Sequence, residues 1–369
     1  MNIPFVDLSR EAEQYLPELI NNTKQVLKSG QYINGSFVKA LEESVANYLG
    51  VKYAISVGNG SDALTFILRT LNIKEDDEII CPANSFIATS WSIVAAGAKP
   101  IFCDVNEDYL LDPHDFERRI TEKTKAVIVV HLTGRVFEIN LIKEICSKKN
   151  IKIIEDAAQS FGAFNNKRIM TGALGLAGAF SLHPLKNFAI YGDGGIISTN
   201  NKLIAEKCMK LRNHGLVNRD EAEIWGYNSR LDELQASYAL VKLNNIEDLT
   251  HKYINIAKYY DKNITNKVFK PEIRNTQRDV YHNYVIRVPL MIRDSLMQEL
   301  LKCGVETKIH YPIPLHLQKC ASKFNYKLGD IPNVETFSKS MISLPIHPYL
   351  SEEELDYVCT NFNRIYNNL

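Results

Sequence analysis

The chain has 369 residues, 45% of them hydrophobic and 23% charged, an ordinary globular composition long enough for two coupled domains. Lysine plus arginine and aspartate plus glutamate balance at 43 each, so net charge gives no argument for nucleic acid or a membrane surface, and an anionic ligand must be met by local donors. The seven cysteines are odd in number, scattered and without a C-x-x-C, which excludes a disulfide framework or zinc knuckle and fits reduced thiols. Met1-Asn-Ile-Pro-Phe-Val-Asp-Leu8 lacks the basic-then-apolar order of a signal peptide and no apolar run is long enough to span a bilayer, so a soluble, cytoplasmic protein is expected.

Residues 11–29 and 36–49 read as amphipathic helices, punctuated by Ser29-Gly30 and Gly35-Ser36. Tyr53–Val57 is a short apolar strand, and Ser61–Leu71 a helix opening at Gly60-Ser61-Asp62. Glu78–Ile80 is a strand, followed by Pro82–Phe86 and a helix through Ala96. Ala126–Val130, Ile151–Ile154 and Ala177–Ser181 are further strands, with a helix over Ile139–Lys148 between them. Such alternation predicts an α/β fold with a mostly parallel sheet covered by helices on both faces. After Gly194–Thr199 the pattern changes. Leu231 to about Tyr260 reads as a long helical bridge, His282–Val288 as a strand and Asp294–Cys303 as a helix. A terminal helix over Ser351–Leu369 begins with Ser351 and Glu354 in capping-box spacing. The expected division is a large domain over 1–240 and a smaller α+β domain over 241–369.

In open α/β sheets, ligands sit outside the carboxyl ends of the strands, and several reactive groups fall there. Lys186 lies in the run Phe180-Ser-Leu-His-Pro-Leu-Lys186, shortly before Gly192-Asp-Gly-Gly195; Asp156 ends the strand Ile151-Lys-Ile-Ile-Glu-Asp156. A neutral lysine amine can form an imine with a carbonyl cofactor, and an upstream aspartate can hold a pyridine nitrogen protonated. Together they suggest pyridoxal 5'-phosphate chemistry. Taken singly, the lysine is an ordinary solvated side chain and the aspartate an N-cap. Gly58-Asn-Gly60-Ser61 joins a strand to a helix N-terminus and is an anion site or a plain cap. That turn also fits G-x-G-x-x-A, with Glu75-Asp76-Asp77 downstream. A nicotinamide-dependent oxidoreductase is therefore an alternative, although about fifty residues precede the turn and Asp156 and Lys186 stay unexplained. Phe86 could stack on a flat ring or fill the core; Ser181 could bind phosphate or cap. Asn228 and Arg230 begin the bridging helix, and His310-Tyr311-Pro-Ile-Pro-Leu-His316 could present polar groups to a substrate. Neither H-E-x-x-H nor His/Cys ligand spacing occurs, so no metal is expected.

The ordered set of motifs resembles the DegT/DnrJ/EryC1/StrS family of pyridoxal-phosphate sugar aminotransferases. It runs from Ile3-Pro-Phe-Val-Asp-Leu8 and Ser29–Gly35 through Gly60–Leu64, Asn84–Thr89, Val130–Gly134, Glu155–Gln159, His183–Asn187 with Gly192–Gly195, Asn228–Leu231 and His310–His316 to Ser343–His347. The resemblance implies the aspartate-aminotransferase-like fold type I in a homodimer. It implies Lys186 as the imine lysine, Asp156 on the ring nitrogen, Phe86 stacked on the ring and Gln159 near its hydroxyl. Gly60, Ser61 and Ser181 would hold the phosphate, Asn228 would reach it from the neighbouring subunit, and Tyr311 and His316 would lie near the sugar. Leu182, His183 and Thr133 depart from residues common in the family, which blurs the substrate and not the reaction. A related dehydratase branch replaces the lysine with histidine, and Lys186 argues against it. The implied reaction is ping-pong transfer of an amino group from glutamate to a keto group of a nucleotide-linked deoxysugar, for a surface polysaccharide, glycan or secondary metabolite. A non-catalytic cofactor-binding regulator on the same fold is the other alternative.

Overall fold

The computed structural model describes all 369 residues. In chain order the elements are α1 (Leu8–Ser29), α2 (Ser36–Leu49), β1 (Tyr53–Val57), α3 (Gly60–Thr70), β2 (Glu78–Pro82), α4 (Ile87–Ala95), β3 (Lys99–Cys103), α5 (Pro113–Arg119), β4 (Thr124–Val130), α6 (Asn140–Lys148), β5 (Lys152–Asp156), β6 (Ala177–Ser181) and β7 (Gly195–Thr199). Then follow α7 (Lys202–Arg212), α8 (Glu233–Asn244), α9 (Ile246–Asn263), β8 (Tyr284–Arg287), α10 (Arg293–Lys302), α11 (Pro332–Ser340), β9 (Met341–Leu344) and α12 (Glu352–Asn368).

Seven strands form one sheet in the order β1-β7-β6-β5-β4-β2-β3. Only β7 runs antiparallel to its neighbours, pairing Val57 and Ser181 with Gly195 at its two edges. The remaining pairs are parallel, so β1, β2, β4, β5 and β6 all present their carboxyl ends on one side. The central strands carry near-continuous apolar runs because both faces are covered: Ile79, Ile80, Val127, Ile128, Val129 and Ile154 are all fully buried. A second, two-stranded antiparallel sheet pairs β8 with β9. Its core is separate, built from Tyr260, Ile286, Leu296, Leu300, Ile342, Val358 and Phe362. Two segments cross the boundary expected near residue 240. Ile3 bridges to Val305 and packs into the second core, while Leu315, Val334 and Phe337 pack into the first. No helix is long and apolar enough to cross a membrane.

Local chemistry accounts for the element ends. Asp7 accepts from the Arg10 N–H and starts α1 three residues before the apolar pattern does, and Gly30 closes it in the left-handed region at φ 67°. At α12 both halves of the capping box are made: Glu354 N–H donates to Ser351 Oγ, and Ser351 N–H donates to the Glu354 carboxylate. The expected bridging helix is two helices, since α8 ends at Asn244 and α9 opens at Ile246. Nor do Asn228 and Arg230 begin it: the N-cap is Asp232, whose carboxylate accepts from Gln235 N–H at 2.8 Å.

Candidate active site

The carboxyl ends of the parallel strands open into a cavity of about 440 Å³, a size that suits a cofactor and small substrate. Its large-domain wall comes from consecutive strand ends: Asn59, Gly60 and Ser61 after β1, Ser85 and Phe86 after β2, Val130 ending β4, Asp156 ending β5, and Ser181, His183 and Lys186 after β6. The opposite wall comes from Tyr253, His282, Asn283, Lys308, His310 and Tyr311. Phe5 and Val6 close one side.

Two fixed anchors define the chemistry. Asp156 is buried; its Oδ2 accepts from Thr89 Oγ1 at 2.7 Å and its Oδ1 from Ala158 N–H at 3.2 Å. Burial pushes its carboxyl above the usual range, while those two donors and the Lys186 ammonium pull the other way. Lys186 sits in a turn closed by its own N–H to His183 O at 2.8 Å, and its ammonium forms no salt bridge. Burial lowers its pKa, and the Asp156 charge only partly offsets this. The amine is thus biased toward the neutral, nucleophilic form.

Unpaired backbone amides lie at the start of α3. Asn59 Oδ1 caps the Asp62 N–H at 2.8 Å, which leaves the N–H groups of Gly60 and Ser61 without partners inside the chain. Here glycine is required by close approach: a Cβ at Gly60 would stand 2.9 Å from Ser181 Cβ. Ser181 Oγ accepts only a long bond from His183 N–H at 3.3 Å. Free amides at a helix N-terminus, with a hydroxyl beside them, form an anion site. Phe86, 55% exposed, faces Tyr311 with ring centroids 6.1 Å apart. Gln159 is buried between the walls; Oε1 accepts from Thr133 N–H at 2.7 Å and Nε2 donates to Tyr311 Oη at 3.0 Å.

The structure therefore gathers Gly60, Ser61, Phe86, Asp156, Gln159, Ser181, Lys186 and Tyr311 into one cleft. His316 is a correction. It is buried outside the cleft, with Nε2 3.0 Å from Glu335 Oε1 and its ring edge-on to Tyr326. After Pro314 the chain turns inward, Leu315 N–H bonding to Ala83 O, and carries His316 into the large core. Asn228 is exposed and does not line this chain's own cleft.

His310 faces the cavity from the loop expected to meet a substrate, and His282 and Lys308, which the sequence reading does not single out, face it too. His310 Nδ1 lies 2.9 Å from Ser343 Oγ, and burial, with Lys186 and Lys308 nearby, pushes its pKa down to about 4. His282 is pushed well below its usual value by burial first and Lys186 second. Both shifts favour the neutral ring. No local spacing marks them, because their placement depends on the small domain folding back across the sheet.

The model of the DegT/DnrJ/EryC1/StrS aminotransferase family matches residues 14–363. The chain belongs to this family. A dTDP-3-amino-3,6-dideoxy-alpha-D-galactopyranose transaminase of Aneurinibacillus thermoaerophilus is 41% identical over 98% of the chain and 99% of its own length. A pleiotropic regulatory protein of Geobacillus stearothermophilus is 39% identical over 99% of both chains. Among solved structures, NtdA of Bacillus subtilis with bound cofactor PMP superposes with a TM-score of 0.93 at 29% identity, covering 99% of this chain and 85% of that one.

Proposed function

We propose that this enzyme is a pyridoxal 5'-phosphate-dependent aminotransferase that moves an amino group from glutamate to a keto carbon of a nucleotide-linked sugar. The carrying observation is the unpaired Lys186 amine, depressed by burial, in the same cleft as the donor-held Asp156 carboxylate. The residues fit the cofactor. Gly60, Ser61 and Ser181 would hold the phosphate, Phe86 would cover the ring face, Gln159 would meet its hydroxyl and Asp156 its nitrogen. When bound, the cofactor supplies an aldehyde for amine exchange and a ring that withdraws electrons.

Lys186 would hold the cofactor through Nζ and, when that nitrogen is free, would be the group placed to carry a proton in the cleft. Asp156 would hold the proton on the ring nitrogen. The Gln159–Tyr311 bond joins the two walls, so Tyr311 orients the sugar against the amine. Asn228 completes the phosphate site of a second copy in a homodimer. Its exposure, and Trp225 three residues earlier at 97% exposed, support a surface that is covered in the assembly. The setting is amino-sugar synthesis for a polysaccharide, glycan or secondary metabolite, in the cytoplasm that seven unpaired cysteines suit. One relative carries a regulatory name. Retention of Lys186 with Asp156, and the transaminase relative covered end to end, support catalysis.

The decisive test is a coupled assay of glutamate consumption over a panel of dTDP-, UDP- and GDP-linked ketosugars, run beside an absorbance spectrum. Turnover of one ketosugar, with a visible cofactor band, is expected. A colourless protein that binds NADH overturns the assignment, and a band without turnover of any ketosugar favours the regulator.

A further inference from the structure

Asp156 does not hold its position alone. Thr89, fully buried on α4, places Oγ1 2.7 Å from Asp156 Oδ2, and Ser85 Oγ lies 2.7 Å from the same Oγ1. An ionised carboxylate can only accept, so the single Thr89 proton is committed to Asp156. Thr89 must then accept, and the Ser85 hydroxyl must donate. The result is a directed line, Ser85 to Thr89 to Asp156, that begins at a cleft-lining side chain and ends on the carboxylate. Since Ala158 N–H occupies the other oxygen, the carboxylate cannot rotate without losing a bond, and Asp156 lines the cavity.

The surroundings make these bonds consequential. The other titratable groups around the carboxylate are Lys186, His131, Cys81 and Tyr311. Cys81 and Tyr311 are uncharged at neutral pH, and His131 spends its Nε2 on Glu155 at 2.9 Å while Nδ1 accepts from Phe137 N–H at 3.0 Å. Lys186 is the amine to be consumed by the cofactor. Once it is, Thr89 and Ala158 are the permanent donors that favour the charged carboxylate.

We infer that Thr89 is a positioning residue: held by Ser85, its hydroxyl fixes the orientation and the negative charge of Asp156 for the cofactor's ring nitrogen. This rests on the proposed function and adds to it a residue that touches neither cofactor nor substrate.

The test compares Thr89→Val, which keeps the side-chain shape and removes the donor, with Thr89→Ser and wild type as holoenzymes. Two quantities are read from the visible band: the dissociation constant for pyridoxal phosphate and the pH midpoint of the band. A hydrogen bond to a buried charge implies about tenfold weaker binding in Thr89→Val. The midpoint should move upward, because a ring nitrogen that is less firmly protonated withdraws fewer electrons from the nitrogen joined to Lys186. Thr89→Ser should return both values to within about threefold of wild type. Ser85→Ala, which leaves the threonine in place, should shift both in the same direction by less, and carries the test if Thr89→Val fails to fold. Wild-type affinity and midpoint in Thr89→Val, or in Ser85→Ala as its substitute, overturn this inference alone. Wild-type protein that binds no pyridoxal phosphate overturns the proposed function and this inference with it.

Discussion

Among the lysines that packing shields from water, Lys242 and Lys186 have instructively different settings. Lys242, on α8, is buried against α1, where its ammonium meets the Glu11 carboxylate and lies over the rings of Tyr15 and Tyr191, 4.8 and 5.8 Å from their centroids. Lys186, at the cleft, has neither a carboxylate within contact nor an aromatic face beneath it. Burial lowers the pKa of both. A depressed lysine is therefore not in itself a functional signal. What separates the two is that Lys242 is satisfied within the chain, whereas Lys186 faces an open cavity. A buried amine left without a partner is maintained against stability, and that is the physical mark of a reactive group.

The comparison breaks most visibly at Lys186. Lys186→Ala should remove the visible cofactor band and cut kcat by about 10³-fold or more, as expected when nucleophile and proton carrier are lost together. A variant that retains both places the reactive amine elsewhere. The next largest effect is on the other lysine's partner. Glu11→Gln strands the Lys242 charge in a buried site and should lower stability by about 3 kcal/mol in chemical denaturation, with kcat per folded enzyme unchanged. Pairing Glu11→Leu with Lys242→Met should recover most of the loss, because no charge then remains to be desolvated. A fall in kcat at full folding would show that the α1–α8 contact serves the site.

Much of this contrast is legible in the sequence, and the failures have identifiable causes. Asp156 and Lys186 stand at strand ends, and apolar runs mark those strands without tertiary information. The Gly60-Ser61 turn is legible for the same reason. The edge strand β3 is not, because Pro100 inside it argues against a strand, and an edge is where proline is tolerated. β9 has only 4 residues, too few for alternation to register. The break between α8 and α9 occurs at Asn244-Asn245 without glycine or proline, so no local breaker announces it. His316 looks like a partner of Tyr311 because only four residues separate them. The inward turn after Pro314, fixed by Leu315 N–H on Ala83 O, and the contact of His316 with Glu335 are made with residues distant in sequence. Thr89 and His282 are missed for the same reason: a threonine on a helix and a histidine before a strand acquire meaning only from what the fold places opposite them.

The smallest predicted effect is the one that isolates the unpaired amine. Because Lys186 has a folded pKa below its ordinary value of 10.5, the unfolded chain binds more protons than the native one between those two values. Native stability therefore rises with pH across that window, and below it the full cost of the buried charge is present. In protein free of cofactor, Lys186→Met removes the cost. It should raise Tm at neutral pH by on the order of 2 °C, with the gain shrinking as pH approaches 10.5. Scanning calorimetry of both proteins at several pH values above neutrality checks the sign. A gain that stays flat with pH would reflect better packing by methionine alone, and would mean that the native cleft already solvates the Lys186 ammonium as well as water does.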